Sequence, residues 1–200
     1  MGRYPSWSIP PRRSADQMAH RQGLKKGLDV DWEVLAEVPL SYSTIGATRG
    51  ELPEGFHHIR REVIVGSGRE CFTAAATQIM GWQMQRRAGV LVDASAPAAE
   101  VGSLIKVGVG PVSGVCRVVY EIDEPNRRGF AYGTLMGHPE SGEEFFGVRF
   151  DPADQSVYAQ VVGFSRPAVW WSRAGAPLAS LLQRRITDRY LAALTDPVVR

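Results

Sequence analysis

Six short apolar segments follow one another between residues 90 and 164, with little but turns between them, and this run limits the possible folds more than anything else in the chain. The segments are 90–93, 104–109, 115–122, 129–134, 143–150 and 157–164. Glu124-Pro125-Asn126 and Asp151-Pro152-Ala153-Asp154 supply turn chemistry between neighbours. Parallel strands need crossovers of roughly a dozen residues or more, usually helical. These linkers hold none, so the sequence predicts an antiparallel sheet. In segment 143–150, Glu144, Phe146, Val148 and Phe150 share one face and Phe145, Gly147 and Arg149 the other.

Helices flank the run. A strand at 57–65, rich in β-branched residues, stops at Gly66, and Ser67-Gly68-Arg69-Glu70 reads as a capping box. Phe72, Ala75, Ala76, Ile79, Met80 and Trp82 recur at helical spacing, with Arg86 and Arg87 near a stop at Gly89, which predicts a helix over 68–88. Pro177 suits a first helical turn, and Leu178, Leu181, Leu182, Ile186, Tyr190, Leu191 and Leu194 mark a long C-terminal helix. The expected fold is α+β: a curved antiparallel sheet of about six to seven strands wrapped around the C-terminal helix. This order resembles the helix-grip, START-like architecture, which leaves a cavity between sheet and helix. Residues 28–200 are expected to form one domain. Residues 1–27, with six Lys or Arg against Asp16, read as a basic, flexible arm.

Several classes of function find little support. The net charge of +2 gives no electrostatic case for nucleic-acid binding. No apolar run reaches the roughly 18 to 20 residues that cross a bilayer, so integral membrane association is not expected. Cys71 and Cys116 form no metal or redox motif and no secretory h-region is present, which makes a reducing cytoplasm the simplest reading. The opening MGRYPS fits a short, common myristoylation pattern, and an unmodified tail explains it as well. Gly66-Ser67-Gly68 before a helix imitates a dinucleotide loop, but Cys71 stands at the third glycine position and crossover helices are missing. No cofactor is expected.

Several motifs look like a known set. They are Tyr42-Ser43-Thr44-Ile45-Gly46-Ala47-Thr48, Gly81-Trp82, Cys116-Arg117-Val118-Val119-Tyr120, Tyr132-Gly133-Thr134-Leu135, Gly137-His138-Pro139-Glu140-Ser141-Gly142-Glu143-Glu144 and Phe164-Ser165-Arg166-Pro167. With Gln183 and Tyr190 they resemble the uncharacterised family catalogued as domain of unknown function nineteen-ninety, from about Leu40 to Leu194. The resemblance implies no activity.

Candidate ligand-binding residues are Tyr42, Thr48, Trp82, Arg117, Tyr132, Thr134, His138, Glu144 and Arg166. If the Phe146 face is interior, Glu144 is a buried carboxyl that must be paired, protonated or in contact with a polar ligand. Arg117 and Arg166 are its candidate partners. His138, Glu140, Glu143 and Glu144 could instead serve as acid, base or metal ligands. A hairpin loop between Pro139 and Gly142, with His138 bonding the backbone, satisfies the same residues. The leading expectation is binding of a largely apolar or amphipathic small molecule between sheet and C-terminal helix. The alternatives are an enzyme using His138 with Glu140, Glu143 or Glu144, and an interaction module acting through Trp170, Trp171 and the basic arm. No metal site is assigned, and the oligomeric state is left open.

Overall fold

The computed structural model describes residues 30–168 and 187–194. The sheet lies within the unit Trp32–Arg200. Among the described residues seven strands pair antiparallel throughout: β1 (His57–Ser67), β2 (Leu91–Ala94), β3 (Leu104–Val109), β4 (Val112–Glu124), β5 (Arg127–Thr134), β6 (Glu140–Phe150) and β7 (Ser156–Pro167). Their order in the sheet is β1-β7-β6-β5-β4-β3-β2. β2 to β7 form an unbroken meander, as short linkers require. β1 closes on β7, the last strand, with His57 opposite Ser165 and Ser67 opposite Ser156. The helices α1 (Trp32–Ala36), α2 (Gly68–Met80) and α3 (Gln83–Arg87) complete the chain order up to the meander, and residues 187–194 form α4. The expected helix from Pro177 is observed only over 187–194. Its earlier part, Trp170, Trp171 and the basic arm lie outside the described residues.

Three local expectations are corrected. The predicted helix 68–88 is two helices, broken at Gly81-Trp82, where Trp82 takes a left-handed backbone with φ 63°. That conformation costs a non-glycine residue about 1–2 kcal/mol, but it drops the indole into the core with no exposed surface. There Trp82 meets Phe130 edge-on at 5.0 Å and donates Nε1–H to the Ala96 carbonyl at 3.0 Å. Ser67 makes no side-chain capping bond. It is still paired in β1, and the Gly68 N–H donates instead to the Gln155 carbonyl at 2.8 Å, tying the helix start to the β6–β7 turn. Gly142 does not mark a turn but lies inside β6, where a Cβ would stand 1.9 Å from the Phe164 carbonyl oxygen; the turn before β6 carries Gly137 at φ 90°.

The sheet has two buried faces. On the inner one, Cys116, Val118, Phe130, Tyr132, Phe146, Val148, Val157, Ala159 and Val161 join Phe72, Ala75, Ala76 and Ile79 of α2 and Tyr190, Leu191 and Leu194 of α4 in one core. The outer face carries a smaller cluster of Tyr120, Ala131, Phe145 and Val162, with Leu52 packed against it. Strict alternation along β4 would put Tyr120 with Cys116 and Val118. A bulge between Val118 and Tyr120 inserts one residue and turns Tyr120 to the opposite face.

Candidate functional site

Adjacent positions in β6 send two carboxyl groups to opposite faces of the sheet. Glu143 stands in the outer row Arg117–Gly133–Glu143–Phe164 and Glu144 in the inner row Val118–Tyr132–Glu144–Gly163. The two sites have different chemistry.

On the outer face the segment 39–56 lies over the sheet. Leu40 bridges to Leu135, and the Ser41 N–H donates to the Thr134 carbonyl at 2.9 Å. The Tyr42 ring occupies the space over Gly133, where a Cβ would stand 2.2 Å from its hydroxyl oxygen. Glu143, 3% exposed, accepts from the Tyr42 hydroxyl at 2.7 Å, the Gly46 N–H at 2.7 Å, the Thr48 N–H at 3.1 Å and the Thr48 hydroxyl. The single Thr48 hydroxyl proton goes to Glu143, so the Tyr120 hydroxyl, 2.8 Å away, donates to Thr48. Burial and Glu143 together push the Tyr42 hydroxyl far above its ordinary pKa. Four donors of the chain itself converge on the Glu143 carboxyl, and the arrangement is a latch.

Arg117 and Arg166, the partners considered for Glu144, are engaged elsewhere. The Arg117 guanidinium donates to the carbonyls of Leu35, Ala36 and Val38 and so caps the C-terminal end of α1. Arg166 is exposed, with its guanidinium 4.6 Å from the centre of the Phe56 ring. Thr134 exchanges hydrogen bonds with Gly142 and lies 2.6 Å from the Ser41 hydroxyl. His138 Nδ1 lies 3.0 Å from both the backbone nitrogen and the carbonyl oxygen of Glu140, and its ring covers Gly114, where a Cβ would meet it at 1.9 Å. Desolvation holds the His138 pKa below the usual range; burial raises that of Glu140, opposed by a hydrogen bond with Ser165. Because Glu143 and Glu144 face opposite ways and His138 is committed to the β5–β6 loop, the structure does not gather the four acid, base or metal candidates. Among the described residues no group of three His, Cys, Asp or Glu is placed to hold a metal ion.

The inner face brings together Glu144, Tyr132, Tyr190 and Cys116. The Tyr132 hydroxyl donates to Glu144 Oε2 over 3.4 Å, a long bond, and also bonds the Tyr190 hydroxyl. Around them, Phe146 lies 5.2 Å from Tyr132 and 5.2 Å, edge-on, from Tyr190, while Phe130 lies 5.6 Å from Phe146. Trp82 closes the same cluster through Phe130. Enclosure by this apolar wall pushes the Glu144 pKa from 4.5 up to about 7, against a small opposing effect of the Tyr132 bond. Burial likewise raises Cys116, Tyr132 and Tyr190, each pushed further by Glu144. Yet Glu144 keeps accessible area. Beside it β7 supplies no side chain: Gly163 is its cross-strand partner, and a Cβ there would stand 3.3 Å from Glu144 Cγ. A carboxyl half-protonated near neutrality beside two phenols can hold or pass a proton, or receive a polar ligand group. A second interior polar group, Gln85, has no exposed surface and, among the described residues, no hydrogen-bond partner for either amide atom. A buried amide in that state calls for a water or a ligand.

Glu144 makes stability depend on pH. Its folded pKa, about 7, lies above the ordinary 4.5, so the folded state holds the proton more tightly and loses stability as pH rises from about 4.5 through 7. The full effect is roughly 3 kcal/mol. Glu140 acts in the same direction, and His138 in the opposite one, losing stability as pH falls below 6.5. Urea unfolding of the wild type and Glu144→Gln should therefore show a difference that moves by about 3 kcal/mol in favour of the variant between pH 4.5 and 8. A difference independent of pH would mean that Glu144 ionises normally.

Of the predicted residues, Trp82, Tyr132 and Glu144 share the inner core, Tyr42, Thr48 and Arg117 secure the N-terminal segment, and Thr134, His138 and Arg166 lie at the loop end of the sheet. Tyr190 and Gly163 were not among them. The phenol at position 190 in an otherwise apolar helical stripe was the available signal for the first. For Gly163 only its position opposite Glu144, which needs the register, shows its part.

A seven-stranded antiparallel curved sheet whose first and last strands are neighbours, with helices over its inner face, defines a fold of the helix-grip type. A crystal structure of a hypothetical protein from Helicobacter pylori shares it, with a TM-score of 0.56 and 11% identity over 77% of this chain and 98% of that one. The chain belongs to the family described as domain of unknown function DUF1990, whose model matches residues 41–193. It is 34% identical over 172 residues to a UPF0548 protein of Deinococcus radiodurans, covering 77% of this chain and 85% of that protein. A UPF0548 protein of Arabidopsis thaliana is 31% identical over 142 residues, 66% of this chain and 68% of that one. Among the described residues no helix is long and apolar enough to cross a membrane.

Proposed function

We propose that the protein binds a small molecule with a largely apolar body between the inner face of the sheet and the helices, its polar end held by Glu144, Tyr132 and Tyr190. The observation that carries this reading is Glu144 itself. It is walled in tightly enough to lose much of its acidity, yet it retains accessible area. A carboxyl with both properties borders a space rather than packed side chains. Tyr132 and Tyr190 border that space and, with the carboxyl, give it one polar end, while Phe130, Phe146 and Trp82, with no exposed surface, pack behind them.

N-phenyl-1-naphthylamine, an uncharged apolar fluorophore, tests the reading. Its fluorescence should rise and saturate on titration, and amide signals of Val118, Phe130, Phe146 and Gly163 should shift with the same saturation. Absence of saturable binding, or shifts confined to the outer face around Tyr42 and Glu143, would overturn it.

A further inference from the structure

We propose that the ligand carries a protonated amine, with its N–H groups directed at Glu144 beside the rings of Tyr132 and Tyr190. The proposal deepens the binding function inferred for this interior and rests on it. Three observations point to a cationic donor. The first is the state of the carboxyl. Among the described residues its hydrogen bond is the 3.4 Å contact from Tyr132, and no Lys or Arg of theirs hydrogen-bonds or ion-pairs with Glu144. The arginines nearest in sequence logic are engaged elsewhere, Arg117 on the α1 carbonyls and Arg166 on Phe56. An ammonium group brings both the missing countercharge and up to three donors. A neutral hydroxyl brings one donor and no charge, and a ligand carboxylate sets like charges together.

The second observation is the wall. The rings of Phe130, Tyr132, Phe146 and Tyr190 lie in mutual contact beside the carboxyl, with centroid distances of 5.2 to 6.1 Å. Aromatic faces attract a desolvated cation and give an anion nothing. The third is the set of titratable groups facing Glu144. β5 presents Tyr132, β4 Cys116 and α4 Tyr190, whereas the buried residues of α2 are Phe72, Ala75, Ala76 and Ile79 and β7 presents Gly163. Among the described residues each of these titratable groups is neutral or negative, so a ligand ammonium supplies a countercharge that none of them brings.

Competition against N-phenyl-1-naphthylamine with three matched probes, 2-phenylethylamine, 2-phenylethanol and 3-phenylpropanoate, tests this. At about pH 8 the amine should compete about tenfold better than the alcohol, and the carboxylate least well. Glu144→Gln should bring amine and alcohol within about twofold of each other, each measured against the fluorophore's own affinity for that variant. If the fluorophore binds but the alcohol or the carboxylate competes as well as the amine, the amine proposal falls and the binding function stands. If the fluorophore does not bind, both fall. Should Glu144→Gln fail to fold, the wild type provides a second reading: the amine preference should grow as pH rises through 7, and a preference that stays flat from pH 5 to 8 overturns the proposal.

Discussion

Glu143→Ala is expected to lower the free energy of unfolding by roughly 3–5 kcal/mol, an effect belonging to a carboxylate removed from beneath several buried donors. Four hydrogen bonds converge on this side chain, two of them from backbone N–H groups of Gly46 and Thr48 that have no freedom to turn away. The loss would be local before it is global. Tyr42 would lie over Gly133 with its hydroxyl unmet, and Thr48 would keep only Tyr120. Glu143→Gln should recover little, because every group facing the carboxylate is a donor and an amide nitrogen among them repels. Urea denaturation gives the magnitude, and amide exchange at Gly46 and Thr48 shows whether segment 39–56 opens first. A loss below about 1 kcal/mol for Glu143→Ala would show that the latch does not hold this face closed.

Trp82 carries the second large effect. Truncation to alanine removes a side chain with no exposed surface, its edge contact with Phe130 and its bond to the Ala96 carbonyl, and should cost about 3–5 kcal/mol. The left-handed backbone adds a contrast that packing alone does not produce. Alanine keeps the strain of φ 63°, whereas glycine releases it. Trp82→Gly should therefore be more stable than Trp82→Ala by about 1 kcal/mol, the reverse of the order found inside a helix. If alanine proves the better replacement, the break between α2 and α3 is not imposed by this residue.

The architecture was legible because turns and periods are local properties. Glu124-Pro125-Asn126 and Asp151-Pro152-Ala153-Asp154 announce their turns, and the alternation from Glu144 to Phe150 assigns the inner face without knowledge of any neighbour. What was hidden depends on partners distant in sequence. The capping signature at Ser67 was outweighed by the Gln155 carbonyl, a residue brought near only when β7 pairs with β1. The helix break at Trp82 follows from the room beside Phe130, and helical periodicity runs through it unmarked. Arg117 shares a strand face with apolar residues, yet its guanidinium reaches the end of α1, a short helix with no apolar stripe to reveal it. For the site, alternation alone separated Glu144 from Glu143, but nothing in the sequence told that Glu143 would be saturated and Glu144 left nearly unserved.

The pairing of β1 with β7 also governs the order in which a chain made from its N-terminus can assemble. β1 is among the first strands to emerge, and its partner is the last. At an ordinary pace of synthesis the wait is on the order of seconds to tens of seconds. Through that interval β1 presents an open row of backbone donors and acceptors, the kind of edge that recruits other chains. Its charged run Arg60-Arg61-Glu62 is exposed in the finished protein and is already in place during the wait. Loss of β7 would leave β1 in that state permanently, so a chain stopped before Ser156 should aggregate rather than fold into a smaller sheet.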